Sequence, residues 1–183
     1  FNSVLLMKPL FEKAKADLKR LVYADGEDLS ILRAVQSVVD DGLAIPILVG
    51  RPNVIKQRIE QLGLRIEQNT HFDIVNPESD HRFRDYSTHY HEIMQRQGVS
   101  IRDARTRSRT NNTIIAAMFV VRGEADAMLC GMSGHYHDHL KYIEEILCKK
   151  DDVVSIGAMN AVVLPKGTFF VCDTQVNTEP SAE

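Results

Sequence analysis

The stretch GMSGHYHDHL, residues 131–140, places three histidines and an aspartate within five positions. Imidazole is a common zinc ligand, and three imidazoles that converge at about 2 Å from one ion would form a metal site. If a helix begins near residue 135, however, His135 and His139 share one face of it and His137 points elsewhere. We therefore predict no metal site. A zinc hydrolase built on these three histidines is the alternative, which metal analysis of the purified protein would test.

A second group of residues that could bind a ligand consists of arginines. Arg102, Arg105 and Arg109 recur at intervals of three and four residues, so they share one face of a short helix. Their forked N–H donors could hold a phosphate group. A solvated arginine face is the alternative, and the spacing alone does not separate the two interpretations.

The third feature is the turn CGMSG, residues 130–134, which leads from an apolar segment into a helix. Its glycines let the backbone approach a ligand, and the helix that follows offers free N–H groups to an anion. The turn is neither a Walker A loop nor a Gly-x-Gly-x-x-Gly fingerprint. Cys130 stands where a nucleophile could be placed, but we expect a structural thiol. The candidate ligand-binding residues are Gly131, Ser133, Gly134 and His135.

Alternating strands and helices must position these residues. Apolar spacing predicts helices over residues 9–20, from residue 29 to a stop at Gly42, from Pro52 to Gly63, and over residues 80–97, 100–109, 111–121 and 135–149. Short buried strands are predicted at LVYAD, IPILVG, RIE, FDIV and ADAMLCG. The pattern of the first 150 residues therefore predicts a three-layer α/β/α fold with a mainly parallel sheet.

The pattern of residue types changes near residue 151. The segment VVSIGAMNAVVLPKGTFFVCDT contains two β-rich runs joined by Pro165, Lys166 and Gly167, which predicts an antiparallel hairpin. We therefore predict a first α/β domain over residues 1–150 and the start of a second domain over residues 151–183. Ligands of parallel α/β folds bind at the carboxyl ends of the strands. Here these ends are residues 25–27, 50–52, 76–77 and 130–134.

Composition limits the classes of function. The 183 residues are 44% hydrophobic and 26% charged, with a net charge of −3 and a pI of about 6.2. This charge balance does not favour binding to nucleic acid. No apolar run approaches the roughly 20 residues that span a bilayer, and the N-terminal residues do not have the pattern of a signal peptide. Three cysteines without Cys-x-x-Cys spacing indicate a reduced, cytoplasmic setting. The start at Phe1 and the helix-opening sequence TEPSAE at the end suggest a piece of a longer protein.

Several segments of the sequence together resemble one protein family. ADGEDLSILRAVQSVVDDGLAIPILVGRPNVI, RGEADAMLCGMSGHYHDHLKYIEEIL and FFVCDTQVNTEPSAE resemble the phosphate acetyl/butyryltransferase family along nearly the whole chain. Within this family, LGLRIE, FDIVNPESDHRF and SIGAMNAVVLPKG resemble the version fused to the C-terminus of long bacterial NADP-dependent malic enzymes. The resemblance implies a fold like that of isocitrate and isopropylmalate dehydrogenases, with coenzyme A and acyl phosphate bound in an interdomain cleft, usually in a dimer.

The resemblance also limits the site residues. The family's catalytic Ser-Arg and Asp lie in a later segment, so no catalytic residue is assigned here. Active members carry Arg-Asp-Pro where this chain has residues 110–112, with Arg109 one place early, and an arginine where this chain has Lys141. They also carry Ser-Gly-Ala at residues 130–132 and a threonine pair at residues 136–137. Arg109 and Lys141 thus join the candidate ligand-binding residues, with Arg105 a weaker candidate.

These departures weigh against acetyl transfer. The resemblance implies a phosphotransacetylase-like module that senses acetyl-CoA or acyl phosphate and helps a malic enzyme to form a dimer or higher homo-oligomer. Oxidation of malate to pyruvate and CO₂, with NADP and Mg²⁺ or Mn²⁺, would belong to a catalytic domain in the missing N-terminal part of the parent chain. No cofactor, nucleic acid or membrane is expected for these residues themselves. The alternative is a working phosphate acetyltransferase.

Overall fold

The computed structural model describes residues 2–147, 153, 155–164 and 166–179; for residues 2–6 and 163 it describes the backbone only. The described helices and strands, in chain order, are α1 (Asn2–Ala16), β1 (Lys19–Tyr23), α2 (Leu29–Asp41), β2 (Ala44–Val49), α3 (Pro52–Leu62), β3 (Asp73–Val75), α4 (Phe83–Met94), α5 (Ile101–Thr110), α6 (Asn112–Val121), β4 (Ala127–Leu129), α7 (Tyr136–Ile146), β5 (Met159–Leu164) and β6 (Gly167–Cys172). A 3₁₀ turn, Gln95–Gln97, follows α4.

The chain divides into two compact units, one of residues 14–147 and one of residues 1–13 with residues 148–183. The assignment of residues 1–150 and 151–183 to successive domains stays a prediction. Within the described part of the chain, no helix has the length and apolar character that a bilayer crossing needs.

A parallel sheet lies at the centre of the unit of residues 14–147. Its strands have the order β3-β2-β1-β4, and each neighbouring pair is parallel. Val22 of β1 is opposite Ile47 of β2 on one side and Met128 of β4 on the other. The mainly parallel α/β fold predicted from the sequence is therefore confirmed.

Helices cover both faces of this sheet. Successive residues of a strand point to opposite faces, and β1 shows this directly. Val22 packs in a buried cluster that includes residues of α4, α5, α6 and α7, whereas Tyr23 packs in a second cluster that includes residues of α2 and α3. The apolar stripes of the helices thus have two separate surfaces to cover, which gives the three layers.

Local sequence signals fix the ends of these helices. The Asp28 carboxylate accepts N–H bonds from Ser30 and Ile31 at 2.7 and 3.3 Å at the start of α2, and Gly42 ends that helix with a φ of 61°. Ser100 caps α5 by accepting from the Asp103 N–H at 3.1 Å. The predicted boundaries at Gly42, Gly63 and Ser100 are confirmed.

Three sequence-based expectations were wrong. The segment RIE is not a strand, because the Arg65 N–H bonds the Gln36 side chain of α2 at 2.7 Å instead of a sheet neighbour. The segment ADAMLCG contributes only β4, and Leu129 is 49% exposed because β4 is the last strand at that edge of the described sheet. The helix predicted over residues 9–20 spans Asn2–Ala16, since the residues from Lys19 onward pair with β2 as β1.

The second unit contains the predicted hairpin. β5 and β6 are antiparallel, with pairs from Met159 and Cys172 to Leu164 and Gly167. The Asp173 carboxylate after β6 accepts backbone N–H bonds from residues 158, 175, 176 and 177, which hold its pKa well below the usual range. Pro165 of the connecting turn and the helix start expected at residues 180–183 lie outside the described residues.

An arginine-centred network joins the loop before α4 to the end of α6. The Arg82 guanidinium donates to Asp80 at 2.9 and 3.0 Å and to Glu124 at 2.9 Å, and its carbon lies 4.9 Å from the centroid of the Phe119 ring. The Tyr86 hydroxyl donates to Glu124 at 2.6 Å. The pKa of Arg82 is raised, chiefly by its hydrogen bonds to Asp80.

Removing this guanidinium should destabilise the chain. We expect Arg82→Ala to lower the free energy of unfolding by about 2 kcal/mol, because Asp80 loses its guanidinium partner and Glu124 keeps only Arg122. Arg84→Ala is the matched control, since Arg84 is an exposed residue of the first turn of α4 and its loss should change stability by less than about 0.5 kcal/mol. Urea unfolding of both variants measures the difference, and equal effects would contradict the assignment.

Candidate ligand-binding site

A polar pocket of about 380 Å³ opens at the carboxyl ends of the parallel strands. All four strand ends predicted from the sequence contribute to it, together with the junction of α5 and α6. The lining residues are Asp25, Glu27, Asp28, Gly50, Arg51, Arg58, Asn76, Pro77, Glu78, Arg109, Asn112 and Ser133. Parallel strands end at one edge of the sheet, so residues distant in sequence meet here.

Asp25 joins the end of β1 to the turn after β4. One carboxylate oxygen accepts the backbone N–H groups of Gly131 and Met132 at 3.0 and 3.1 Å. The other oxygen accepts the Ser133 hydroxyl at 3.3 Å. β1 and β4 are neighbours in the sheet, and this register brings the two loops side by side. The turn that the sequence indicated as an anion-binding element therefore already holds an anion of the chain itself.

A carboxylate–guanidinium pair forms the wall after β2. Arg51 donates to both oxygens of Glu27 at 2.9 and 2.8 Å, and the Arg51 backbone N–H donates to the same carboxylate at 2.8 Å. These bonds lower the pKa of Glu27 and raise the pKa of Arg51. Arg58 of α3 donates to the backbone carbonyl of Glu27. Arg51 is thus paired with a carboxylate of the chain, whereas the Arg58 guanidinium donates to one backbone carbonyl and also lines the pocket.

Arg109 reaches the pocket from the last turn of α5. Its guanidinium carbon lies 4.8 Å from the centroid of the Phe83 ring, within the range of a cation–π contact. Such a contact leaves the guanidinium N–H groups available for an anion. Asn111 then caps α6 through bonds to the N–H groups of Thr113 and Ile114 and fixes the direction of the chain beside Arg109.

The other predicted site residues do not line this pocket. Arg105 is exposed on α5, away from the pocket lining. Lys141 is 69% exposed and lies 3.9 Å from Glu145 on its own helix. His135 begins α7 without a side-chain capping bond. Gly131 and Gly134 give the turn its shape, with φ values of 96° and 92°. Of the residues in this turn, only Ser133 lines the pocket.

His139 is the histidine of the cluster that has a defined role. The carbonyl of Ser133 lies 2.7 Å from its Nε2, and because a carbonyl only accepts, Nε2 carries the proton and donates. Nδ1 therefore accepts from the Thr113 hydroxyl at 2.8 Å. His139 thus connects α6, the turn and α7. Its spacing from His135 placed the two on one face but gave no sign that His139 faces inward.

The remaining histidines of the cluster lie elsewhere. The rings of His137 and Tyr136 meet edge to face at 5.7 Å, and both side chains are exposed. In the described ranges, no three His, Cys, Asp or Glu side chains are grouped to hold a metal ion. Cys130 is half-buried, and burial, reinforced by the Asp25 charge, raises the pKa of its thiol. A thiol with a raised pKa is a poor nucleophile near neutral pH.

The His139 connection is open to direct measurement. We expect His139→Ala to reduce the free energy of unfolding by about 2 kcal/mol, since two hydrogen bonds and the link between two helices are lost. His137→Ala is the matched control and should have almost no effect, because its ring is exposed. Thermal unfolding of the two variants decides between them. A larger effect at His137 than at His139 would show that the wrong histidine has been assigned.

Comparisons with known proteins identify the family. The family model described as phosphate acetyl/butaryl transferase matches residues 5–183. The chain is 48% identical over 183 residues to an NADP-dependent malic enzyme of Escherichia coli (strain K12), covering 100% of the chain and 24% of that protein. It is 30% identical over 174 residues to a phosphate acetyltransferase of Nitratidesulfovibrio vulgaris, covering 95% of the chain and 24% of that protein.

A solved structure with the same fold supports this result. The EutD phosphotransacetylase from Staphylococcus aureus superposes with a TM-score of 0.84 at 18% sequence identity, covering 97% of this chain and 52% of that one. The chain spans about a quarter of the length of the malic enzymes that it matches, and it corresponds to their C-terminal, phosphotransacetylase-like region. With a matching model over nearly its whole length, the chain belongs to the phosphate acetyl/butaryl transferase family.

Proposed function

We propose that this region binds acetyl-CoA in the strand-end pocket and regulates a larger cytoplasmic protein of the malic enzyme type, without itself transferring acetyl groups. The larger protein would oxidise and decarboxylate malate to pyruvate and CO₂ with NADP and Mg²⁺ or Mn²⁺, through a catalytic domain of the same chain. The similarity to malic enzymes, 48% identity in one case, supports this parent activity. NADP and the metal would bind outside residues 1–183.

The observation that carries the proposal is the position of Arg109. It lines a pocket of about 380 Å³, and its guanidinium is oriented by the Phe83 ring. Coenzyme A carries several phosphate groups, and a guanidinium binds a phosphate oxygen pair through a fork of two N–H donors. Arg58 adds a second positive charge to the same pocket. An anionic ligand would therefore meet two cationic groups there, in a pocket that is also lined by Asp25, Glu27, Asp28 and Glu78.

Regulation requires that the ligand distinguishes two states. A ligand shifts an equilibrium only by as much as its affinities for the two states differ. We propose a homo-oligomer, dimeric or larger, in which acetyl-CoA favours the less active arrangement and so inhibits malate oxidation. Acyl phosphate is the second ligand to consider, since it shares the phosphate chemistry.

A working phosphate acetyltransferase is the alternative function. It is favoured by the 30% identity to a phosphate acetyltransferase. Two contacts in the pocket weigh against it: Asp25 takes the donors of the 131–133 turn, and Glu27 takes both arms of Arg51. The donors of this turn and the Nε and Nη2 groups of Arg51 are thus bound to carboxylates of the chain itself.

Two assays of the whole protein distinguish these functions. The first measures the formation of acetyl-CoA from acetyl phosphate and CoA, and the second measures malate oxidation against acetyl-CoA concentration. The proposal predicts negligible transfer together with inhibition of malate oxidation. Robust transfer would establish the acetyltransferase instead, and malate oxidation that does not respond to acetyl-CoA would exclude the regulatory role.

A further inference from the structure

Three buried side-chain oxygens lack a hydrogen-bond partner among the residues that the structure describes. They are Tyr90 Oη of α4, Ser108 Oγ of α5 and Glu145 Oε2 of α7. α4 packs against both α5 and α7, so two of these atoms lie on helices that flank the third. Buried polar groups in folded proteins are nearly always paired with protein atoms or with ordered water, because an unpaired group costs free energy. Each of these oxygens therefore needs a partner.

Tyr90 and Glu145 have complementary needs. Tyr90 is fully buried, and its hydroxyl has one proton to donate. A carboxylate only accepts, and the two oxygens of Glu145 differ in their surroundings. Oε1 lies 3.9 Å from Nζ of Lys141, whereas Oε2 is buried. The first residue thus has a donor without an acceptor, and the second has an acceptor without a donor.

The packing of the helices brings these two groups near each other. Tyr90 and Ile146 belong to one buried cluster, and Tyr142 packs against it, so the segment of α7 that contains Glu145 faces α4. Burial raises the pKa of the Tyr90 hydroxyl, the Arg107 guanidinium opposes this rise, and the Glu145 carboxylate adds to it. Both charged groups therefore lie within electrostatic reach of Tyr90. Arg107 cannot accept the Tyr90 proton, because a guanidinium only donates.

We infer that one buried water molecule bridges Tyr90 Oη and Glu145 Oε2 and so connects α4 with α7. The bridging group must accept from the hydroxyl and donate to the carboxylate, and a water molecule does both. It must be small, because solvent reaches neither oxygen. It must also be neutral, because a cation would be repelled by Arg107 and an anion would be repelled by Glu145.

This water gives α7 a second polar connection to the helices beneath it. His139, near the start of α7, accepts from the Thr113 hydroxyl of α6 at 2.8 Å. Glu145 lies near the end of the same helix and connects it to α4 through the water. Polar contacts thus fix α7 at both ends, in addition to the apolar packing of residues such as Ile146.

A crystal structure of the whole protein, at a resolution that shows ordered water, tests this inference. We expect a water molecule at about 2.5–3.0 Å from both Tyr90 Oη and Glu145 Oε2. A direct bond between these two oxygens would overturn the inference, and so would a site without density for water. The readout involves no acetyl-CoA, so it is independent of the proposed regulatory function.

Tyr90→Phe provides a second measurement, because it removes only the hydroxyl. If water completes the hydrogen bonding of this hydroxyl, we expect the equilibrium constant of unfolding to rise about fivefold or more. A hydroxyl without any partner would give the opposite result, since the removal of a buried unpaired polar group leaves stability unchanged or increases it. That outcome would contradict the bridge. The wild-type crystal structure decides the question even if Tyr90→Phe does not fold.

Tyr136→Phe is the matched control. It makes the same change at an exposed residue at the start of α7, and the equilibrium constant should change by no more than about twofold. Urea unfolding of both variants measures the difference. An effect at Tyr136 as large as that at Tyr90 would show that the buried position of the hydroxyl is not the cause, and the inference would be wrong.

Discussion

Gly26→Ala is expected to lower the free energy of unfolding by about 3 kcal/mol, the upper end of the usual cost of overfilling a packed site. A Cβ at residue 26 would lie 2.7 Å from the carbonyl oxygen of Val49 and 2.9 Å from its nitrogen. It would also lie 2.9 Å from the Cβ of Leu48. These atoms belong to the backbone of β2 or adjoin it, so no flexible side chain can move aside and the loop after β1 must shift.

Gly63→Ala is the control for this substitution. Gly63 ends α3 with a φ of 61°, and nothing lies within 4 Å of an added Cβ. Its cost is backbone strain alone, about 1 kcal/mol. Urea unfolding should therefore rank Gly26→Ala as clearly more destabilising than Gly63→Ala. The reverse order would mean that the loop after β1 does not approach β2 as closely as described.

The same substitution should also disturb the pocket. Gly26 separates Asp25, which binds the 131–133 turn, from Glu27, which binds Arg51. A shift of the loop moves both carboxylates away from their donors. We therefore expect Gly26→Ala to disturb two walls of the pocket as well as the stability of the fold.

Arg109→Ala is expected to raise the acetyl-CoA concentration that half-inhibits malate oxidation by the whole protein by about tenfold or more. This factor corresponds to the loss of one charge-assisted, forked contact to a phosphate. The uninhibited rate should stay unchanged, since malate oxidation is proposed to occur outside residues 1–183. Initial rates at increasing acetyl-CoA concentrations, with and without the substitution, measure the shift.

Lys141→Ala is the matched control for Arg109→Ala. Both residues were predicted as ligand contacts from the sequence, but Lys141 is 69% exposed and pairs with Glu145 at 3.9 Å. We therefore expect less than a twofold change in inhibition for Lys141→Ala, which is within the range of a surface charge effect. Equal shifts for both variants, or a larger shift for Lys141, would remove Arg109 from the proposed acetyl-CoA contact.

The sequence by itself determined the order of the elements and the edge at which a ligand site would form. Helical spacing, glycine stops such as Gly42 and caps such as Ser100 are local signals, because each depends on neighbours within a few residues. The alternation of strands and helices then implies a parallel sheet, and a parallel sheet places its strand ends together. Ser133 was found in this way, whereas Arg109 was named from the spacing of the arginines and from the family resemblance.

Only the tertiary structure decided which of the candidate side chains meet. His139, and not His135 or His137, faces inward, because Thr113 of α6 lies opposite it across the helix interface. Asp25 holds the 131–133 turn, because β1 and β4 are neighbours although more than 100 residues separate them. Lys141 is directed to its own helix and Arg105 is exposed. These outcomes depend on contacts between distant segments, which the spacing of residues within one segment does not encode.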